Sequence, residues 1–221
     1  MVKWIRVALT TTLVSMFFAV PASAQSPGGA GSTGVALGAQ LQEAQNQPRE
    51  LERLYKIGKK VAAVCANCHG EGGSSVKPDI PNLAGQNPAY LLEQIRQFST
   101  GERRNEFMEG LIKVLKPDEK VGMVVFYSGQ EVQHRPADNP ALVSKGQSVY
   151  AKTCQSCHGS GGRGNEKMAR IAGQQAPYLT LTIKRYRDGS SVRKDPLMAT
   201  STQRLSDADI AAVVAYVATL K

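Results

Sequence analysis

Cys65-Ala66-Asn67-Cys68-His69 is the stretch of sequence that decides the fold, and it recurs as Cys154-Gln155-Ser156-Cys157-His158. Cys-x-x-Cys-His is the attachment pattern of c-type haem. The two thiols of such a motif lie on one side of a helical turn, where they can reach the two vinyl groups of one porphyrin. The histidine that follows can then bind the iron. The two motifs therefore predict two covalently bound haem c groups in one chain.

Other uses of paired cysteines agree less well with the sequence. A thioredoxin-like redox pair lies where a strand meets a helix, and no strand is predicted before either motif. A four-thiolate zinc site would leave two equivalently placed histidines unexplained. Two disulfides are a further alternative in an exported protein. Because the whole motif occurs twice, at corresponding places of a repeated unit, haem is favoured over all three.

The repeat extends beyond the motifs themselves. Leu83-Ala84-Gly85-Gln86 matches Ile171-Ala172-Gly173-Gln174, and Tyr90-Leu91 matches Tyr178-Leu179. An apolar segment that is predicted to be helical closes each copy. The chain therefore contains two copies of one structural unit.

Two domains follow from this repeat, over residues 49–131 and 140–221, with a linker at 132–139. Each has only about 80 residues, a size at which a hydrophobic core is marginal without a cofactor or another staple. Apolar residues recur at helical spacing in both copies, and no run alternates as a half-buried strand would. The sequence predicts an all-α fold, in which two small helical domains are each wrapped around one haem.

Helix starts can also be predicted from local signals. Pro88 and Pro177 are expected in first turns, where the missing N–H costs little. Ser206, followed by acidic residues, is typical of an N-cap and predicts the start of the last helix. Pro117-Asp118-Glu119 is its counterpart in the first copy.

The second axial ligand of each iron is predicted by elimination. The chain has three histidines, and the motifs use two of them, so that His134 could provide the second ligand of at most one haem. Met108 and Met198 occupy the same place in the repeat, in what the sequence predicts to be a polar loop before the closing helix. We therefore predict His69 with Met108 as one pair of iron ligands and His158 with Met198 as the other. Such a thioether ligand raises the reduction potential, and two protein ligands on each iron argue against oxygen or peroxide chemistry.

Weaker patterns suggest which residues support these ligands. Metal-binding histidines usually donate their second ring N–H to a carbonyl. Pro81 is the candidate acceptor for His69, and Ala169 occupies the equivalent position in the second copy. Arg103 and Arg193 precede the two methionines and are candidates for pairing with haem propionates, with a solvated surface role as the alternative.

The N-terminus carries the pattern of a secretory signal over residues 1–24. Lys3 and Arg6 precede an uncharged apolar run, and Ala22-Ser23-Ala24 is a small-residue cleavage site. The run is shorter than the roughly 20 residues that a spanning helix needs; an uncleaved anchor is the alternative. We predict export to the periplasm and a flexible, Gly- and Ser-rich leader over residues 25–48.

Composition narrows the range of functions. Hydrophobic residues make up 42% and charged residues 20% of the chain, which excludes whole-chain disorder and a multi-pass membrane protein. The formal net charge is +9, and most of the excess falls in the C-terminal half. Part of it forms a predicted basic face, which consists of Lys184, Arg185, Arg187, Arg193 and Lys194. This face favours an acidic docking partner, with a merely solubilising surface as the alternative.

These motifs resemble the cytochrome c4 family over about residues 50–221. Members of that family are dihaem periplasmic proteins with two class I cytochrome c domains. The resemblance implies His/Met ligation in both domains and propionate edges that face each other across the interface. It also implies electron transfer from a quinol-oxidising complex, such as one of the cytochrome bc1 type, towards a terminal oxidase or another periplasmic enzyme.

Two functions remain open at this point, and a third is disfavoured. The first is a soluble dihaem electron carrier with no catalysis of its own. The second is the electron-accepting subunit of a periplasmic dehydrogenase, such as one that oxidises sulfide or thiosulfate. A haem peroxidase needs an open iron position, which the paired methionines argue against. No nucleic-acid partner is predicted, and peripheral association with a membrane is kept as an alternative.

Overall fold

The computed structural model describes residues 30–134, 139–190 and 192–221. Within these ranges the regular structure is helical, and only an isolated antiparallel bridge between Arg103 and Arg193 is extended. The all-α prediction is therefore confirmed. The predicted signal at 1–24 lies outside the described residues. No helix in the described part of the chain is both long and apolar enough to span a bilayer.

Both halves of the chain use a similar series of helices. The N-terminal half contains α1 (Ala30–Gln45), α2 (Pro48–His69), α3 (Pro88–Thr100), α4 (Glu106–Val114) and α5 (Pro117–Ser128), with a 3₁₀ turn at Glu71–Gly73. The C-terminal half contains a 3₁₀ turn at Pro140–Leu142, α6 (Val143–Thr153), α7 (Gln155–His158), α8 (Ala176–Arg187), α9 (Pro196–Thr202) and α10 (Asp207–Val217).

The predicted helix starts are confirmed. Pro88 and Pro117 are the first residues of α3 and α5, and Pro177 lies in the first turn of α8. Ser206 caps α10, because its side chain accepts a hydrogen bond from the backbone N–H of Asp209.

Each half is organised around one close helix crossing, of α2 with α5 and of α6 with α10. A Cβ atom placed on Gly58 would lie 1.9 Å from the carbonyl oxygen of Gly122. Its repeat counterpart, Gly146, would place a Cβ atom 1.9 Å from the carbonyl oxygen of Ala212. The two crossings are thus equivalent, and each holds a haem-attachment motif at the end of the crossing helix or just after it.

The prediction of a flexible leader over residues 25–48 is wrong for Ala30–Gln45, which forms helix α1. Leu37, Leu41 and Ala44 on this helix are buried in the core of the N-terminal half. They follow the i, i+4, i+7 spacing of a helix face. This spacing could have predicted the helix from the sequence, but the many glycines before it favoured the prediction of a flexible segment.

Candidate haem sites

The first motif occupies the C-terminal end of α2. Cys65 and Cys68 are three residues apart on the last turns, neither forms a disulfide, and His69 is the last helical residue. The helix ends there because Gly70 has a φ of 77°, a conformation that glycine adopts readily. The turn that follows brings the chain back beneath the histidine ring.

The second motif is built slightly differently. Helix α6 ends at Thr153, and Cys154 lies between α6 and α7 with a φ of −111°. The second copy has one more residue between the crossing glycine and the first cysteine. This interruption at Cys154 accommodates the extra residue, so that Cys157 and His158 again end a helix before a glycine, Gly159, with positive φ.

Both histidines are held in the same way. The Nδ1 atom of His69 lies 2.9 Å from the carbonyl oxygen of Pro81, and that of His158 lies 2.9 Å from the carbonyl oxygen of Ala169. Because a carbonyl only accepts, Nδ1 carries the proton and Nε2 keeps its lone pair. Burial lowers the pKa of both imidazoles more than this hydrogen bond raises it. Each histidine is therefore a neutral, oriented donor to a metal, and both predicted acceptor carbonyls are confirmed.

The four cysteines are partly buried and do not cluster with other metal-binding side chains of the described residues. Burial raises the pKa of the Cys65 thiol and raises that of Cys154 to about 11. No cluster of three or more His, Cys, Asp or Glu side chains that could hold a metal ion is present in the described ranges. The alternative of one zinc site shared by both motifs therefore finds no support in the described residues.

The two methionines lie in short helices, so the prediction that a polar loop carries them is wrong. Met108 is the third residue of α4, and Met198 is the third residue of α9. The preceding Asn105 and Asp195 act as N-caps, and their side chains accept hydrogen bonds from the backbone N–H groups of Met108 and Met198. Polar capping residues gave this segment its loop-like composition. The equivalence of the two methionines is preserved, and both are partly buried.

The two arginines that precede these methionines meet at the interface between the halves. Arg103 donates hydrogen bonds to Gln94 Oε1 (2.8 Å) and to the hydroxyl of Tyr178 in the other half (3.1 Å). Arg193 donates to the same Gln94 oxygen (2.9 Å), to Tyr178 and to Tyr90. Gln94 is buried, and sequence analysis missed it because no local pattern distinguishes it.

This arginine cluster is electrostatically suited to acidic groups of a cofactor. Neither Arg103 nor Arg193 forms an ion pair with a carboxylate of the described residues. Burial favours a raised pKa for Tyr178, but the two guanidinium charges outweigh it and lower the pKa to about 8. The charge of Arg103 also contributes to the lowered pKa of His69. Partly buried positive charge next to a histidine site fits the propionates that a haem would bring.

The predicted basic face is smaller than the sequence indicates. Arg193 belongs to the interface rather than to the surface. Lys184 and Arg187 both form ion pairs with Asp207, at 2.7 Å and 2.6 Å. Asp207 is distant from them in the sequence, so the charge pattern alone gave no sign of this neutralisation.

Comparisons with known proteins agree with this geometry. The family model described as "Cytochrome c" matches the chain twice, over residues 55–133 and 143–221. A cytochrome c4 from Thiocapsa roseopersicina is 35% identical over 170 residues, which span 71% of this chain and 87% of that protein. The chain belongs to the cytochrome c4 family.

Two further relatives extend the comparison. The crystal structure of reduced recombinant cytochrome c4 from Pseudomonas stutzeri has a TM-score of 0.69 and 28% identity, and the match covers 75% of this chain and 98% of that one. A "Thiosulfate dehydrogenase electron acceptor" from Thiomonas intermedia (strain K12) is 34% identical, over 71% of this chain and 78% of that protein.

Membership of the cytochrome c4 family settles the cofactor and the general function. The chain carries two covalently bound haem c groups, one in each of two tandem cytochrome c domains, and it is a dihaem electron-carrier cytochrome. The predicted family, fold class and cofactor are confirmed.

Proposed function

We propose that the first haem is attached through Cys65 and Cys68 and ligated by His69 and Met108. The corresponding residues of the second site are Cys154, Cys157, His158 and Met198. The observation that carries this proposal is the buried, neutral imidazole of each half, whose Nδ1–H donates to a backbone carbonyl. This arrangement leaves Nε2 as the metal-binding atom and fixes the direction of the ring.

Each haem supplies reversible one-electron exchange when it is bound, and the chain determines the conditions for it. Buried side chains exclude water from the histidines, and partly buried methionines supply soft ligands that favour the reduced iron. Arg103 and Arg193 place positive charge between the two domains. Because two protein ligands on each iron leave no open position for a substrate, the protein acts as a carrier without catalysis of its own. Addition of hydrogen peroxide should leave the reduced visible spectrum unchanged, and rapid reoxidation would contradict this.

The proposed role is transfer of electrons in a periplasmic respiratory chain, from a quinol-oxidising complex of the bc1 type to a terminal oxidase or another periplasmic enzyme. A potentiometric titration with visible spectra should show two haems per chain with reduction potentials in the range of His/Met cytochromes. The signal pattern supports export, and the N-terminal sequence of the mature protein should begin at Gln25. A single haem per chain would contradict the role of one of the two motifs.

A second candidate is the electron-accepting subunit of a periplasmic dehydrogenase. The observation that favours it is the relative from Thiomonas intermedia, whose name assigns it to thiosulfate dehydrogenase. Purification of the native protein separates the two roles. A stoichiometric second subunit would support the dehydrogenase, and a dihaem protein alone would support the free carrier.

The remaining basic surface of the C-terminal domain supports docking to an acidic partner. Arg185 and Lys194 represent it better than Lys184 and Arg187, because reversing the latter two would also break their ion pairs with Asp207. Electron exchange with the partner should slow as ionic strength rises, since salt at about 0.1 M screens charges more than about 10 Å apart. Arg185→Glu should slow it at low salt, whereas Lys59→Glu on α2 should not. A rate that is independent of salt would contradict such docking.

A further inference from the structure

Two glutamines at equivalent places in the repeat cross the domain interface. Gln86 Oε1 accepts a hydrogen bond from the backbone N–H of Arg170 (2.7 Å), and its Nε2 donates to the Arg170 carbonyl (2.8 Å). Gln174 makes the same pair of contacts with Asn82, at 2.8 Å and 3.0 Å. Asn82 and Arg170 are themselves repeat counterparts. Each domain therefore forms two hydrogen bonds, through a glutamine side chain, to the same backbone position of the other domain.

That backbone position is directly linked to the proposed iron ligand. The N–H of Arg170 and the carbonyl of Ala169 belong to one peptide group, and this carbonyl accepts the Nδ1–H of His158. A continuous chain of hydrogen bonds thus runs from the His158 ring through the peptide to Gln86 in the opposite domain. The second chain runs from His69 through the Pro81–Asn82 peptide to Gln174.

The physical consequence is a change in the strength of the hydrogen bond to the histidine. A peptide whose N–H donates to an acceptor becomes polarised, and its carbonyl becomes a better acceptor. The effect is favoured here because the Gln86 side chain is buried, where the local dielectric constant is low. A stronger acceptor at Nδ1–H raises the basicity of the ring, and a more basic ligand stabilises the oxidised iron.

We propose that Gln86 and Gln174 are positioning residues, each of which sets the electron donation of the axial histidine in the opposite domain. The interface then tunes both reduction potentials, and it does so crosswise: the N-terminal domain's Gln86 acts on the C-terminal haem. This inference rests on the proposed ligation by His69 and His158.

The test compares the reduction potentials of the two haems, which are followed separately by their NMR methyl resonances during a redox titration. Gln86→Leu removes the acceptor for the Arg170 N–H at nearly constant volume. It should raise the potential of the C-terminal haem more than that of the N-terminal haem, and it should shift the Nδ1–H resonance of His158. Gln174→Leu should produce the mirror image, with the larger change at the N-terminal haem and at His69.

The chain offers matched controls for Gln86→Leu. Asn87 also crosses the interface, where its Nδ2 donates to the carbonyls of Arg163, Asn165 and Met168, but it does not touch the Ala169–Arg170 peptide. Asn87→Ala loosens the interface and should leave the difference between the two potentials unchanged. Gln86→Glu keeps an acceptor for Arg170 and should hold the C-terminal potential at or below its original value.

The outcomes separate this inference from the ligand assignment. Low-spin spectra with both histidine signals present, but equal shifts at both haems or none, would overturn the crosswise tuning alone. An Asn87→Ala variant that reproduces the Gln86→Leu shift would also overturn it, because loosening of the interface would then suffice. Loss of the histidine signals in the unmodified protein would instead refute the proposed ligation.

Discussion

Replacement of Gly58 by alanine should destabilise the N-terminal domain. A new Cβ atom would lie 1.9 Å from the carbonyl oxygen of Gly122, whereas real Cβ contacts are essentially never shorter than 3.0 Å. The obstacle is helix backbone rather than a flexible side chain, so α2 and α5 must separate by about 1 Å, at a cost of about 1–3 kcal/mol or more. Alanine favours the helix over glycine by about 1 kcal/mol. The difference between the two effects is an expected net loss of up to about 2 kcal/mol.

The measurement is guanidinium unfolding of the dihaem protein, followed by far-UV circular dichroism, with the slope of the transition checked for constancy. Gly38→Ala is the matched control, because Gly38 lies within α1 and has no atom within 4 Å of the added methyl position. It should stabilise the protein by up to about 1 kcal/mol through helix propensity alone. If Gly58→Ala is as stable as Gly38→Ala, the close crossing of α2 and α5 is wrong.

Four further variants test the ligands, the dependence on haem and the first helix. Met108→Ala and Met198→Ala should each abolish the far-red sulfur-to-iron absorption of one haem, and an unchanged band would refute that ligand. Replacement of both Cys154 and Cys157 by alanine should destabilise the C-terminal domain by far more than a typical point change of about 1 kcal/mol. Limited proteolysis should then leave an N-terminal fragment with one haem. A variant as resistant to the protease as the unmodified protein would contradict the dependence on haem. Leu41→Ala should lower the free energy of unfolding by about 2–5 kcal/mol without altering the visible spectrum, since the Leu41 side chain on α1 is buried in the N-terminal core. A change near zero would show that α1 does not belong to this core.

Local patterns in the sequence were sufficient for most of the site. Each of these patterns involves residues within about one helical turn of one another, as in the attachment motif, the capping serine and the helix-starting prolines. A short stretch of the chain therefore contains everything needed to predict the feature. The acceptor carbonyls of Pro81 and Ala169 could be predicted as well, because the loop after each motif is short and returns to the histidine.

The sequence predicted less about segments in which two signals compete. The glycines near residue 30 favour a flexible chain, whereas Leu37, Leu41 and Ala44 favour a helix, and burial against the core decides for the helix. Around Met108 and Met198, the capping residues Asn105 and Asp195 resemble loop residues until a helix is seen to follow them.

By itself, the sequence determined that this protein is a doubled helical unit with two c-type haems, because these features depend on spacing along the chain. Only the tertiary structure decided which residues face each other across the two domains. Arg193 carries the same charge at the surface or at the interface, and Gln86 has no local feature that marks it. Their roles come from contacts with residues more than 80 positions away, such as Gln94 and Arg170. Contacts of that separation are set by how the two domains pack, and no local pattern in the chain records that packing.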